Sequence, residues 1–124
     1  MKIELDPQID ITREGTLFRF NAQKMMSYGY VDFIEIPVKL IPHKKYQLSF
    51  TARGNGKVMT YVYGHAANGN YYDNLSEWEL TNDWKSYTYY LNPETIPTES
   101  DSNFSFQTHE IMSGEVTDLK LIEL

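Results

Sequence analysis

The chain has 124 residues, no cysteine, and a net charge of −6 from 11 basic and 17 acidic side chains. This length suits one domain with its own core, so residues 1–124 are read as a single unit. The missing cysteines remove disulfides, thiolate metal sites and thiol nucleophiles. The acidic balance opposes nucleic acid and anionic membranes, whose phosphates call for Lys and Arg. No apolar run approaches the ~20 residues of a membrane span, and the start Met1-Lys2-Ile3-Glu4-Leu5-Asp6 lacks a signal-peptide core.

Apolar and polar residues alternate in short segments broken by turn formers, the pattern of antiparallel β-structure. Strands are predicted at 2–5, 9–12, 16–21, 31–40, 45–53, 57–64, 75–80, 84–91, 103–108 and 115–124. In the third of these Phe18 and Phe20 alternate with polar neighbours and belong to the core. Ala22–Tyr30, with Tyr28 and Tyr30 beside Ser27 and Gly29, reads as a loop. Ile34, Ile36, Val38 and Leu40 share one face of the next strand, and Pro37 marks an edge or a bulge.

Tyr46–Arg53 and Lys57–Tyr63 read as a hairpin through Gly54-Asn55-Gly56, Asn-Gly being suited to the positive φ angles of a tight turn. Parity sends Tyr46, Leu48, Phe50 and Ala52 inward, with Val58 and Val62 from the partner strand. His65–Asp73, carrying Tyr71 and Tyr72, reads as a second loop, and Asn92–Ser102 as a surface crossover. Phe104 and Phe106 complete the core.

The segment Lys45-Tyr46-Gln47-Leu48-Ser49-Phe50-Thr51-Ala52-Arg53-Gly54, followed by Trp84-Lys85-Ser86-Tyr87-Thr88-Tyr89, resembles carbohydrate-binding modules of families four and nine. Ile36-Pro37-Val38-Lys39-Leu40 before it and the closing Gly114–Leu121 agree with their order of elements, so the resemblance covers roughly residues 15–124. It implies an all-β, jelly-roll-like antiparallel sandwich of about eight to ten strands, of the galactose-binding-like kind. Members fused to phage tail and baseplate proteins look similar in length, tyrosine content and lack of cysteine. That likeness implies a host-adhesion module in a virion or outside the cell, with other virion proteins as further partners. Many such modules hold a structural calcium through an N-terminal signature that Met1–Thr12 lacks. Asp118 alone, at the place of a late carboxylate ligand, cannot satisfy an ion that takes six to eight oxygens, so no cofactor is expected.

Ten Tyr, six Phe and two Trp exceed what one small core needs, so some must face solvent or a ligand. Sugars are bound by flat aromatic faces beside planar polar groups that hydrogen-bond hydroxyls. Parity places Ser49, Thr51, Arg53, Met59, Tyr61, Tyr63, Thr88, Tyr90, Ser105 and Gln107 on the face away from the core. From these, Tyr61, Tyr63 and Tyr90 are the stacking candidates and Arg53 and Gln107 the hydroxyl readers. Tyr28, Tyr30, Tyr71, Tyr72 and Trp78 could wall the same groove, whereas Trp84 reads as a cover for the core edge. The plain alternative is that tyrosine merely suits a pleated, half-exposed surface. If three aromatics each bury roughly 50 Å², the gain is about 4 kcal/mol before association costs, near millimolar affinity.

Catalysis is not expected. Glycoside hydrolysis needs two facing carboxyl groups, and the strands of the expected groove face show none. His43, His65 and His109 lack ligand or triad spacing. A polysaccharide or oligosaccharide is the expected partner. The rival readings are an assembly module with an aromatic protein–protein interface and the accessory module of a bacterial glycoside hydrolase.

Overall fold

A computed structural model describes residues 3–5, 10–22, 29–38, 44–66, 69–91 and 101–124, following only the backbone at 65–66, 69–74 and 101. The described residues form ten strands: β1 (Glu4–Leu5), β2 (Asp10–Glu14), β3 (Leu17–Ala22), β4 (Val31–Val38), β5 (Tyr46–Gly54), β6 (Lys57–Ala66), β7 (Gly69–Glu79), β8 (Lys85–Leu91), β9 (Asp101–Thr108) and β10 (Met112–Glu123). Two five-stranded sheets result, ordered β1-β4-β9-β6-β7 and β2-β3-β10-β5-β8, called sheets A and B below. All pairings are antiparallel. The chain is therefore an all-β sandwich, as its alternation predicts.

The core lies between the sheets because alternate residues of each strand are apolar and point there. Phe18, Phe20, Leu48 and Phe50 from sheet B meet Val58, Val62, Phe104 and Phe106 from sheet A, all buried. Phe50 is the hub of an aromatic cluster: it stacks on Tyr87 at 5.2 Å and meets Phe106 and Trp78 edge-on at 5.2 and 5.6 Å.

The expected hairpin from β5 to β6 does not form. β5 pairs with β8 and β10, whereas β6 pairs with β7 and β9, so Gly54-Asn55-Gly56 crosses between sheets. The crossing is tied down by Gly54 N–H to the Thr81 carbonyl (2.8 Å), Leu80 N–H to the Gly56 carbonyl (2.9 Å) and Ser113 N–H to Asn55 Oδ1 (2.8 Å). Its glycines serve close approach rather than a positive φ. A Cβ at Gly54 would lie 2.7 Å from the Ser113 carbonyl oxygen, and one at Gly56 2.8 Å from Glu110 Oε1. The left-handed backbone of a tight hairpin occurs instead at Gly15 (φ 61°), in the two-residue turn that joins β2 to β3.

Two further expectations are corrected. Much of the segment read as the loop His65–Asp73 continues the β6–β7 hairpin, with Tyr63 opposite Tyr72 and His65 opposite Asn70. β4 does not keep a single parity: Asp32 pairs with Gln107 but Ile34 with Phe106, so Phe33 is an extra residue. Val31, Phe33, Ile34 and Ile36 are consequently all buried. Asp32 and Glu35 both emerge on the outer face. Pro37 is exposed and lies opposite Asn103 of β9, in the strand next to the edge strand β1, and the bulge of β4 falls at Phe33 and not at the proline. Of the other expected loops, residues 23–28 and 92–100 lie outside the described residues.

Candidate ligand-binding cleft

The alternation that fills the core leaves the outer face of sheet A polar and aromatic, and there it encloses a cleft of about 860 Å³. β4 contributes Asp32 and Glu35, β9 contributes Asn103, Ser105 and Gln107, and β6 contributes Met59, Tyr61 and Tyr63. Tyr30, Leu75 and His109 complete the lining. The register explains the grouping, since Asp32 lies opposite Gln107, Glu35 and Tyr61 opposite Ser105, and Tyr63 opposite Asn103.

A hydrogen-bonded network covers the floor. The Tyr61 hydroxyl donates to Asp32 Oδ1 at 2.6 Å, and Gln107 Nε2 donates to the same oxygen at 2.9 Å and to the Tyr61 hydroxyl at 3.3 Å. With Gln107 Nε2 spent on acceptors, its Oε1 is the acceptor for His109 Nε2 at 2.5 Å. His109 in turn lies against the Tyr30 ring, centroid to centroid 5.8 Å. Burial, and then the hydrogen bond to Asp32, push the Tyr61 phenol well above its ordinary value, so it remains a neutral donor.

This network revises the part expected of Tyr61. Only 6% of the residue is exposed, so it is a floor whose hydroxyl orients Asp32 and not an open stacking platform. Tyr63 and Tyr30 are partly exposed, and Leu75, 63% exposed, stands at the rim.

The structure brings together Tyr30, Tyr61, Tyr63 and Gln107 and separates the rest of the expected set. Arg53 and Tyr90 sit on β5 and β8, hence on sheet B, because β5 and β6 are not partners in one sheet. Their parity holds: Tyr90 does point outward, 63% exposed, but on sheet B. Trp78, expected beside the groove, turns inward: its Nε1 donates to Thr60 Oγ1 at 2.8 Å and its ring packs edge-on against Tyr87 and Tyr89. Tyr28 lies outside the described residues, and of Tyr71 and Tyr72 only the backbone is described.

Asp32, Glu35, Asn103, Leu75 and His109 were not among the expected site residues, and the reading that the groove face carries no carboxylate is overturned. A signal for Asp32 exists. In Val31-Asp32-Phe33-Ile34-Glu35-Ile36 the apolar alternation slips phase between Phe33 and Ile34, which is the trace of the bulge.

On the outer face of sheet B a second cleft of about 490 Å³ contains Arg19, Arg53 and Glu115 beside Asn55 and Asn82. Its charges answer one another: Arg53 and Arg19 reach the Glu115 carboxylate at 2.7 and 3.1 Å. The hydrogen bond from Arg53, reinforced by Arg19, holds the Glu115 carboxyl below its ordinary value. The Arg53 guanidinium also lies 4.6 Å over the ring of Trp84, which is 41% exposed and so does not cover the core edge as expected. Among the described residues no cluster of three potential ligands could hold a metal. Asp118 is exposed and sits in the β10 bulge with a left-handed φ of 54°.

No family model matches the sequence, and no curated protein matches it. Solved structures do share the fold. A family 4 carbohydrate-binding module superposes with a TM-score of 0.71 at 14% identity, over 94% of this chain and 77% of the other. A second module, of family 16, gives 0.61 at 19% identity, over 86% and 75%. A family 29 module, as its Lys-to-Ala variant in complex with cellulohexaose, gives 0.58 at 13% identity, over 93% and 75%. At such identities the likeness establishes the jelly-roll sandwich.

Proposed function

We propose that the chain is a non-catalytic carbohydrate-binding module that takes a polysaccharide or oligosaccharide into the cleft on sheet A. The observation that carries this reading is the cleft's composition. Partly exposed Tyr30 and Tyr63 offer apolar faces, and Asp32, Asn103 and Gln107 offer directed polar groups, on a fold shared with modules of that kind. Two partly exposed rings burying roughly 50 Å² each contribute only about 2.5 kcal/mol before association costs, so a single site binds weakly. Weak single sites suit repeated display, where linkage raises effective concentration.

That affinity regime, with the likeness to modules of phage tails and baseplates, supports host adhesion to cell-surface or cell-wall polysaccharide as the biological role. The protein would then act in a virion or outside the cell. An accessory module of a polysaccharide-degrading enzyme would use the same cleft on another carrier.

Glycan-array binding followed by titration of Tyr63→Ala tests the site. Loss of at least about tenfold in affinity for the best glycan is expected; an unchanged affinity would place the site elsewhere.

A second reading has its own observation. Across sheet B, exposed Tyr90 and Ile122 flank Gln47 in one row, and a tyrosine and an aliphatic side chain open to solvent suit an assembly contact. If that surface is an interface between copies, sedimentation or size exclusion will report an oligomer that Tyr90→Lys dissociates.

A further inference from the structure

We infer that the sheet A cleft selects its glycan by charge, preferring chains that carry free amines and turning away those that carry carboxylates or phosphates. The inference rests on the carbohydrate-binding reading and specifies its ligand class.

The charged side chains among the described lining residues are Asp32 and Glu35, with His109 at one end and no lysine or arginine. Asp32 is half-buried, and both of its protein hydrogen bonds fall on one oxygen, Oδ1, from Tyr61 and Gln107. No described residue donates to Oδ2. A carboxylate held by two donors on one oxygen is oriented before any ligand arrives, and its other oxygen is available to a cation. A sugar ammonium brings three donors and a positive charge, whereas a uronic acid adds a further carboxylate beside Asp32 and Glu35, where the described lining has no lysine or arginine.

The arginines that could welcome an acid are on the opposite sheet, and both Arg19 and Arg53 are engaged by Glu115. The net charge of −6 acts in the same sense at long range, repelling polyanions as they approach. Neutral glycans fall between, held by the rings and amides alone. Because Asp32 is partly shielded from solvent, its attraction for an amine is screened less by salt than a surface pair would be.

The test titrates the whole chain, in mild acid where sugar amines are protonated and galacturonate is still ionised and at low salt, with three oligosaccharides of equal length built from glucosamine, glucose and galacturonic acid. The glucosamine oligomer should bind at least about tenfold more tightly than the galacturonate oligomer, with glucose between them. Asp32→Asn should narrow that ratio. Should Asp32→Asn fail to fold, Glu35→Gln serves in its place, and the same narrowing is expected. Galacturonate or glucose binding as tightly as glucosamine, or a ratio unchanged in both variants, would overturn the charge selection and leave a glycan-binding cleft standing. Binding of none of the three would overturn both.

Discussion

Tyr61 shows how one side chain can be placed correctly by pattern and still be misjudged in its chemistry. Its position on the outer face follows from alternation with Val62, but its burial depends on a wall of neighbours that alternation does not count. With the hydroxyl 2.6 Å from Asp32, Tyr61→Phe removes one of two donors to a carboxylate. The expected destabilisation is about 1.5–3 kcal/mol, read by urea denaturation. Glu115 makes a different prediction. Its folded-state pKa lies below the unfolded value, so its stabilising contribution is present above the ordinary 4.5 and is lost as pH falls through the lowered folded value. Wild type and Glu115→Gln should therefore differ by up to about 1 kcal/mol at neutral pH, a modest figure because both arginines are well solvated, and converge in acid. A constant gap across that range would remove the ion pairs as its cause.

Strands were legible in the sequence wherever one parity runs unbroken. β3, β5, β8 and β9 keep a strict period of two, and their inward residues, Phe18, Phe20, Leu48, Phe50, Phe104 and Phe106 among them, are those that alternation selects. β4 was legible only in part, because its bulge at Phe33 moves Asp32 to the face that strict alternation denies it. The Gly54–Gly56 link was misleading for a physical reason. Asn-Gly satisfies a tight turn, but glycine is equally required where two backbones approach closely, and only long-range geometry separates the two. The distinction is measurable. Gly54→Ala should cost about 1–3 kcal/mol, since its Cβ would press on the backbone of Ser113 and Gly114. Gly15→Ala meets nothing within 4 Å and should cost about 1–2 kcal/mol, from its φ of 61° alone. Stability curves that show no loss at Gly54 would contradict the tight crossing.

The sandwich as a whole was legible in strand number, patterning and family likeness, whereas the allocation of strands to sheets was not. Nothing local in the sequence tells β5 to pair with β8 and β10 while β6 pairs with β7 and β9, yet that allocation decides which aromatics share a surface. It divides one expected groove into two separate faces, leaving Tyr63 and Gln107 in an acidic cleft and Arg53 and Tyr90 on the far side. The proposed glycan-binding role turns on which of these faces takes the ligand. Amide chemical-shift mapping during titration with a bound oligosaccharide addresses this directly, because every backbone position reports at once. The largest shifts are predicted along β4, β6 and β9 around Asp32, Tyr63, Asn103 and Gln107. Shifts confined to β5, β8 and β10 around Arg53 and Tyr90 would contradict the assignment.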